Sequence, residues 1–207
     1  MSHYDRKRTS ELFDKTPSLS NKFQKHIGDA AFDCLELNGG DVLLDIGTGT
    51  GRYAIKAAMI CHHVLGIDIS RKSLEIARKN SEHLANFQFG YGAFEEPCAE
   101  IRLENYGITK MLAIYSLHHL SDNLKRASIQ NIVKYLGSPG RFVIGDLMFF
   151  EKPDNHQQSF SEVAYDGGET DLPAEPAFLL SCFESMGAKC EIHKVHPLAG
   201  ILVADFI

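Results

Sequence analysis

Short apolar runs recur along the chain at 41–46, 64–68, 87–91, 111–115 and 141–147, separated by longer stretches of mixed polarity at 51–61, 71–84 and 122–136. Continuous apolar runs fit strands buried on both faces, and mixed stretches of ten or more residues fit the helices that cover them. A chain that alternates β and α in this way is expected to form a parallel, doubly wound α/β sheet. Punctuation supports the reading: Ser70 and Ser121 stand where helix N-caps are needed, and Gly137 with Pro139 ends a helix before the strand that starts at Arg141. After Phe150 the rhythm changes to a polar segment ending at Pro173 and containing Asp166-Gly167-Gly168-Glu169. A helix at 174–187 follows, and then two closing strands, 190–195 and 198–207, read as an antiparallel pair. Ahead of the first strand, Phe23, Ile27, Ala30, Ala31, Cys34, Leu35 and Leu37 share one helical face, whereas Tyr4 to Ser20 shows no clean period.

The first two runs carry the most chemistry. Val42-Leu43-Leu44-Asp45-Ile46 leads into Gly47-Thr48-Gly49-Thr50-Gly51, and the next strand, Val64-Leu65-Gly66-Ile67, closes on Asp68. Glycines in the turn let backbone approach a ligand, and a helix starting near Thr50 directs its free amides at it. Asp68, 17 residues past Gly51, lies at a neighbouring strand tip where a carboxylate can accept both hydroxyls of a ribose. A nucleoside-containing ligand is therefore expected. Dinucleotide sites read Gly-x-Gly-x-x-Gly; here the third glycine comes one residue early and Asp45 stands before the turn. A carboxylate there disfavours phosphate and suits an ammonium group.

The 207 residues suit one domain, 1–207, large enough to bury about 70% of the surface its unfolded chain exposes. A net charge of −6, with scattered Lys and Arg, leaves no basic footprint for nucleic acid. The five cysteines form no Cys-x-x-Cys pair, the start is polar, and no apolar stretch reaches the roughly 18 residues of a membrane span. A cytoplasmic protein with free thiols and no membrane partner, monomeric or homodimeric, is the expectation.

Asp45-x-Gly47-x-Gly49-x-Gly51 and the acid closing the next strand resemble the first two signatures of the class I S-adenosylmethionine-dependent methyltransferases, and the likeness runs across most of 41–147. The resemblance implies a Rossmann-like, seven-stranded sheet with one antiparallel strand near the C-terminus, S-adenosyl-L-methionine as cofactor and S-adenosyl-L-homocysteine as product. It also implies that Asp45 and the turn Gly47, Thr48, Gly49 and Gly51 hold the methionine part, Asp68 the ribose and Ile69 the adenine face, with Tyr115 adjoining the cofactor. The third signature, an acid meeting the adenine amino group, is replaced by Ala93, which leaves backbone of Ala93 and the ring of Phe94 for adenine. Glu95 and Glu96 read as a solvated helix start. In relatives a segment like 1–40 often closes over the cofactor, which makes Tyr4 and Phe13 substrate candidates.

Methyl transfer from a sulfonium needs two oriented ligands and excluded water more than any particular catalytic group. The fourth strand ends in Ser116-Leu117-His118-His119-Leu120, and strand carboxyl ends face the ligand crevice. This phrase and the later Gly-x-Pro-Gly-Arg-Phe-Val-Ile resemble the small-molecule, type 11/25-like branch, and the Asn/Asp-Pro-Pro-Tyr tetrapeptide of many base-amine methyltransferases is absent. A small-molecule acceptor is expected rather than nucleic acid. His118 or His119 could remove the acceptor's proton, or one could line the cleft while the other packs away from it. Asp146, Tyr165 and the insert 148–173, with His156, Glu162, Asp166, Glu169 and Asp171, are substrate-side candidates. No tight ligand spacing appears among His118, His119, Asp146 and His156, and no metal is expected. The remaining readings are a protein or RNA methyltransferase needing a partner, a cofactor-binding regulatory protein, and a nicotinamide-dependent reductase, which the glycine spacing disfavours.

Overall fold

The computed structural model describes residues 11, 14, 20–97 and 100–207. Its strands are β1 (Val42–Ile46), β2 (His63–Asp68), β3 (Phe87–Tyr91), β4 (Ile108–Ile114), β5 (Leu136–Leu147), β6 (Lys189–His196) and β7 (Ala199–Phe206). They form one seven-stranded sheet in the order β3-β2-β1-β4-β5-β7-β6. All neighbours from β3 to β5 pair in parallel, and β7 runs antiparallel to both β5 and β6. The expected sheet, with its single reversed strand, is present.

The helices are α1 (Lys22–Asp33), α2 (Arg52–Ala58), α3 (Arg71–Asn80), α4 (Asp122–Ile132), the one-turn α5 (Phe160–Val163) and α6 (Pro176–Glu184). Side chains alternate across the sheet as the pleat requires. Leu44, Met111, Phe142 and Ile144 pack into a core with Ile129 and Ile132 of α4 and Leu179 and Phe183 of α6. Leu43, Leu112 and Val143 point the other way, toward Ile27 and Ala31 of α1, Ala54 and Ala57 of α2, and Leu74 and Ala77 of α3. Burial of both faces explains why these strands read as unbroken apolar runs.

Local chemistry sets the ends of the elements. Ser70 caps α3 by accepting from the Ser73 amide at 3.0 Å, as expected, whereas Ser121 occupies the α4 cap position with no such side-chain bond. The helix expected over 122–136 stops at Ile132, a 3-10 turn covers Val133–Tyr135, and β5 starts at Leu136, five residues before Arg141. The bend at Phe94, Glu95 and Glu96 is not the expected helix start.

The chain reverses its winding at β1, which lies between β2 and β4. A crevice opens beyond the carboxyl ends of the strands at such a switch point. Ile46, Asp68 and Ile114 all end there.

Candidate functional site

A cavity of about 540 Å³ lies over these strand ends. One half is built from β1, β2 and the turn between β1 and α2. Gly47, at φ +75°, leaves room for Ser116: a Cβ on it would stand 2.5 Å from the Ser116 Cβ. The Ser116 hydroxyl donates to the Ile46 carbonyl at 3.0 Å, joining the turn to the tip of β4. Asp68 accepts from the Gly49 amide at 2.7 Å and from the Ser70 amide at 2.8 Å, so its carboxylate ties the glycine turn to its own strand end. Burial raises the Asp68 pKa, and those amides work against the rise.

Asp45 is almost fully buried and accepts a 2.7 Å hydrogen bond from the Thr48 hydroxyl. Burial pushes its pKa up to about 7, against the Thr48 bond that favours the anion. Asp45, Gly47, Thr48, Gly49, Asp68, Ile69, Ala93, Phe94 and Tyr115 all line the cavity. Gly51 is not among its lining residues. Its φ of +85° starts α2, and a Cβ would press on Ala77, Phe89 and Ile55 at 3.2–3.3 Å. Its lack of a side chain lets α2 pack there against Ala77 and Phe89. The Ala93 amide donates to the Glu96 carbonyl at 3.0 Å. Phe94 is buried and stacks on Phe142 at 6.4 Å between ring centroids.

The other half of the cavity is assembled from three distant segments. Tyr115, at φ +48°, turns the chain sharply after β4, a backbone region that residues other than glycine seldom occupy. The turn aims the amides of Ser116 (3.2 Å), Leu117 (2.8 Å) and His118 (3.3 Å) at one oxygen of Asp146, while the other oxygen meets His118 Nδ1. Asp146 is therefore buried behind the loop and does not line the cavity, so it is a positioning residue rather than the substrate contact expected. Tyr165 is likewise set back, packed edge-on against Phe149 and Phe160, outside the cavity lining.

The insert brings up a residue that sequence reasoning left undistinguished among several acids. Asp166 accepts from the amides of Gly168 (2.8 Å), Glu169 (3.0 Å) and Thr170 (2.6 Å), knotting the loop. Asp171 follows with its Oδ1 3.3 Å from His118 Nε2 and 3.4 Å from His119 Nδ1. The Leu172 amide then donates to the His118 carbonyl at 2.7 Å. Lys125, wholly buried in α4, donates to the carbonyls of Leu120 and Leu172 and pins both segments. No signal in a helical lysine announces this role.

Both histidines thus face one carboxylate, contrary to the expectation that one would turn away, and their ring centroids are 4.0 Å apart. Burial works against a charge on His118, but Asp146 and Asp171 outweigh it and raise its pKa to about 10. With Asp146 at one nitrogen and Asp171 at the other, both ring nitrogens of His118 face a carboxylate. His119 is pushed the other way, by burial and then by the charged His118, and stays neutral at the cavity wall. One donor atom from each of His118, His119 and Asp171 lies within 4.8 Å of the others, a metal-capable grouping that residue spacing did not suggest. His156 instead bonds Glu151 at 2.8 Å, away from the cavity.

Of the N-terminal segment, Asp14 accepts from the Ser70 hydroxyl at 2.6 Å and Ser20 reaches the cavity lining. Tyr4 and Phe13 lie outside the described residues. Among the described residues no helix is long and apolar enough to cross a membrane.

The chain is similar to known proteins over most of its length. A family model described as a methyltransferase domain matches residues 37–195. An uncharacterized methyltransferase of Bacillus cereus is 26% identical over 187 residues, covering 86% of this chain and 84% of the relative. The fold resembles magnesium protoporphyrin IX methyltransferase from Synechocystis with bound S-adenosylhomocysteine, at a TM-score of 0.73 and 14% identity, covering 98% of this chain and 100% of that one. It also resembles a chain in the complex between the Haloferax volcanii Trm112 methyltransferase activator and the putative methyltransferase, at a TM-score of 0.69 and 13% identity, covering 91% and 99%. With the acid-flanked glycine turn, Asp68 at the adjacent strand end and the strand order already described, the chain belongs to the class I S-adenosylmethionine-dependent methyltransferases.

Proposed function

We propose that this enzyme transfers the methyl group of S-adenosylmethionine by direct displacement to a small molecule, held between the β4 tip and the loop 164–172. The observation that carries the reading is the single cavity running from the glycine turn to the His118–His119–Asp171 cluster. Its volume falls in the range typical of small-molecule sites, about 300–1,000 Å³. In this reading Asp45 receives the cofactor's ammonium group, Thr48 and the turn backbone its methionine part, Asp68 its ribose, and Ile69 and Phe94 flank the adenine. The sulfonium methyl then points at Tyr115 and His119, and His119 contacts the attacking atom.

The walls also bear on the acceptor's charge. Among the described residues, Asp45, Asp68, Glu95, Asp166, Glu169 and Asp171 line the cavity against Arg52 as its single Lys or Arg. A surplus of carboxylates disfavours polyanions and favours a neutral or cationic acceptor. The insert 148–173 serves as the acceptor-side wall of a single domain spanning 1–207.

The test has two stages. Calorimetry with S-adenosylmethionine should show one site that Asp68→Ala destroys, and the absence of binding by the unaltered protein at high micromolar cofactor would sink the reading. Methyl-labelled cofactor is then offered with a panel of neutral and cationic small molecules, and separately with protein and RNA fractions. A second reading, a protein or RNA methyltransferase working with a partner subunit, is favoured by the likeness to the Trm112-associated chain. Label entering macromolecules would establish it in place of the first.

A further inference from the structure

We propose that His118 Nε2, His119 Nδ1 and Asp171 Oδ1 form a binding site for a divalent transition metal of the zinc class, whose open coordination position faces the acceptor half of the cavity. The inference rests on reading that cavity as the methyl-transfer site, but its geometry stands separately.

Distances carry it first. A tetrahedral zinc ion holds nitrogen and oxygen ligands at about 2.0–2.1 Å, which places the ligands about 3.3 Å from one another. The Asp171 oxygen lies 3.3 Å from His118 Nε2 and 3.4 Å from His119 Nδ1, and the three residues each offer a donor atom within 4.8 Å of the others. Two imidazoles and one carboxylate also make up a ligand set that suits catalytic metals, with three protein ligands and one exchangeable position.

Support behind the ligands carries it second. Metal-ligating histidines usually donate their other ring N–H to a carboxylate, which fixes the ring and its tautomer. Asp146 meets His118 Nδ1 in this way, and three backbone amides hold Asp146 in turn. The ion takes the place of the Nε2 proton that faces Asp171, and that proton is released to solvent. On the other side, Asp171 sits on the loop knotted by Asp166 and stitched to His118 through the Leu172 amide. The side chains of His118 and Asp171 are 5% and 6% exposed, and that of His119 15%. The ligands are thus rigid and nearly dry, with His119 at the cavity edge.

The chemistry follows from the site's position. A hydroxyl or thiol acceptor that coordinates the ion releases its proton to solvent, because a bound cation stabilises the resulting anion. A lone pair on that oxygen or sulfur forms the bond to the methyl carbon. The carbon–sulfonium bond breaks with its electrons returning to sulfur, leaving neutral S-adenosylhomocysteine and a methylated acceptor.

The test is metal binding by the full chain, free of any histidine tag, without an acceptor. Zinc is titrated by calorimetry and Co²⁺ by its visible absorption. One equivalent of metal is expected, with Co²⁺ bands of a four- or five-coordinate site. His119→Gln and Asp171→Asn should weaken zinc binding at least tenfold, Asp146→Asn by about 10–100-fold, and His156→Gln not at all. Circular dichroism and S-adenosylmethionine binding in the presence of chelator report whether each variant is folded. Folded, cofactor-binding protein that takes up no zinc overturns the metal site and leaves the proposed function intact. Zinc binding that His119→Gln and Asp171→Asn leave unchanged overturns it as well. Zinc bound as expected, with no cofactor binding, supports the site and instead sinks the methyl-transfer reading.

Discussion

The two halves of the cavity are made in opposite ways. Most of the cofactor half comes from 24 consecutive residues, Asp45 to Asp68, in which one strand, one turn and the next strand tip bring the carboxylates and the glycine turn together, with Ile69 and Phe94 beside them. The acceptor half needs 118–119, 146 and 166–172, joined through hydrogen bonds between side chains and backbone that no local pattern specifies. The first half is built from backbone geometry and the second from buried charge. A site of the first kind can be shared by many proteins that differ in what they act on, while a site of the second kind can change its ligand with one loop.

The sharpest way to break the cofactor half is Asp68→Ala. It removes the acceptor of both the Gly49 and Ser70 amides together with the proposed ribose contact. The two proposed bonds from the ribose hydroxyls to this charged group are worth roughly 3 kcal/mol or more, so affinity for S-adenosylmethionine should fall on the order of 10²-fold or more. Calorimetry decides it, and a loss under tenfold would mean that the turn holds its shape without the carboxylate.

Asp171→Asn is the matching cut in the acceptor half. The variant keeps the size of the side chain but gives up the charge that both imidazoles face. Displacements of about an ångström at a reacting centre can cost 10²-fold, so turnover on the best acceptor from a labelled panel should drop by roughly 30-fold or more. Affinity for S-adenosylmethionine should change by less than about threefold, because the two halves share no hydrogen bond through Asp171. A comparable loss of cofactor affinity would show that the halves are coupled.

What the sequence disclosed follows the same division. The alternation of strands and helices and the positions of Asp45 and Asp68 at strand ends were legible because period and spacing act over short distances. The packing role of Gly51 was not legible, because a glycine that a ligand needs and a glycine that α2 needs to pack on Ala77 and Phe89 look alike in a string. Asp146 and Asp171 read alike as substrate-side candidates, since only the fold shows that one meets His118 Nδ1 and the other His118 Nε2. Lys125 gave no sign at all. A buried ammonium donating to two carbonyls at once is a tertiary fact, and helix periodicity places it on the face of α4 that also buries Ile129.

The charge on Asp45 sharpens the contrast by a smaller amount. Its pKa of about 7 stands well above the free carboxylate value near 3.9. The folded, ligand-free protein therefore holds a proton that the unfolded chain has lost, and this group's contribution to stability falls as pH rises from about 4 to 7. An ammonium group in contact prefers the carboxylate, so cofactor binding expels that proton and tightens with pH. Affinity should rise about tenfold between pH 6 and pH 8 and then level off. Calorimetry in buffers of different ionisation enthalpy should register proton release at pH 6, and Asp45→Asn should abolish both the release and the slope.

The mildest cut is Asp166→Ala, which tests how far the acceptor half depends on a knot in a loop. Its carboxylate accepts from the Gly168, Glu169 and Thr170 amides, from the Thr170 hydroxyl at 2.8 Å and from the Asp171 amide at 3.2 Å. The loop is partly exposed, so each bond is worth the low end of about 0.5–1.5 kcal/mol, and water replaces several of them. The loop also remains held at its far end by the Leu172 amide on the His118 carbonyl and by Lys125. Local opening should thus become easier by roughly 1.4 kcal/mol, seen as about tenfold faster amide hydrogen exchange at 168–171. Exchange in β1 and cofactor affinity should stay as they were, since Asp45 to Asp68 make no use of this loop. Faster exchange at Gly49 as well would show that the acceptor loop braces the glycine turn, and the two halves would then be one mechanical unit.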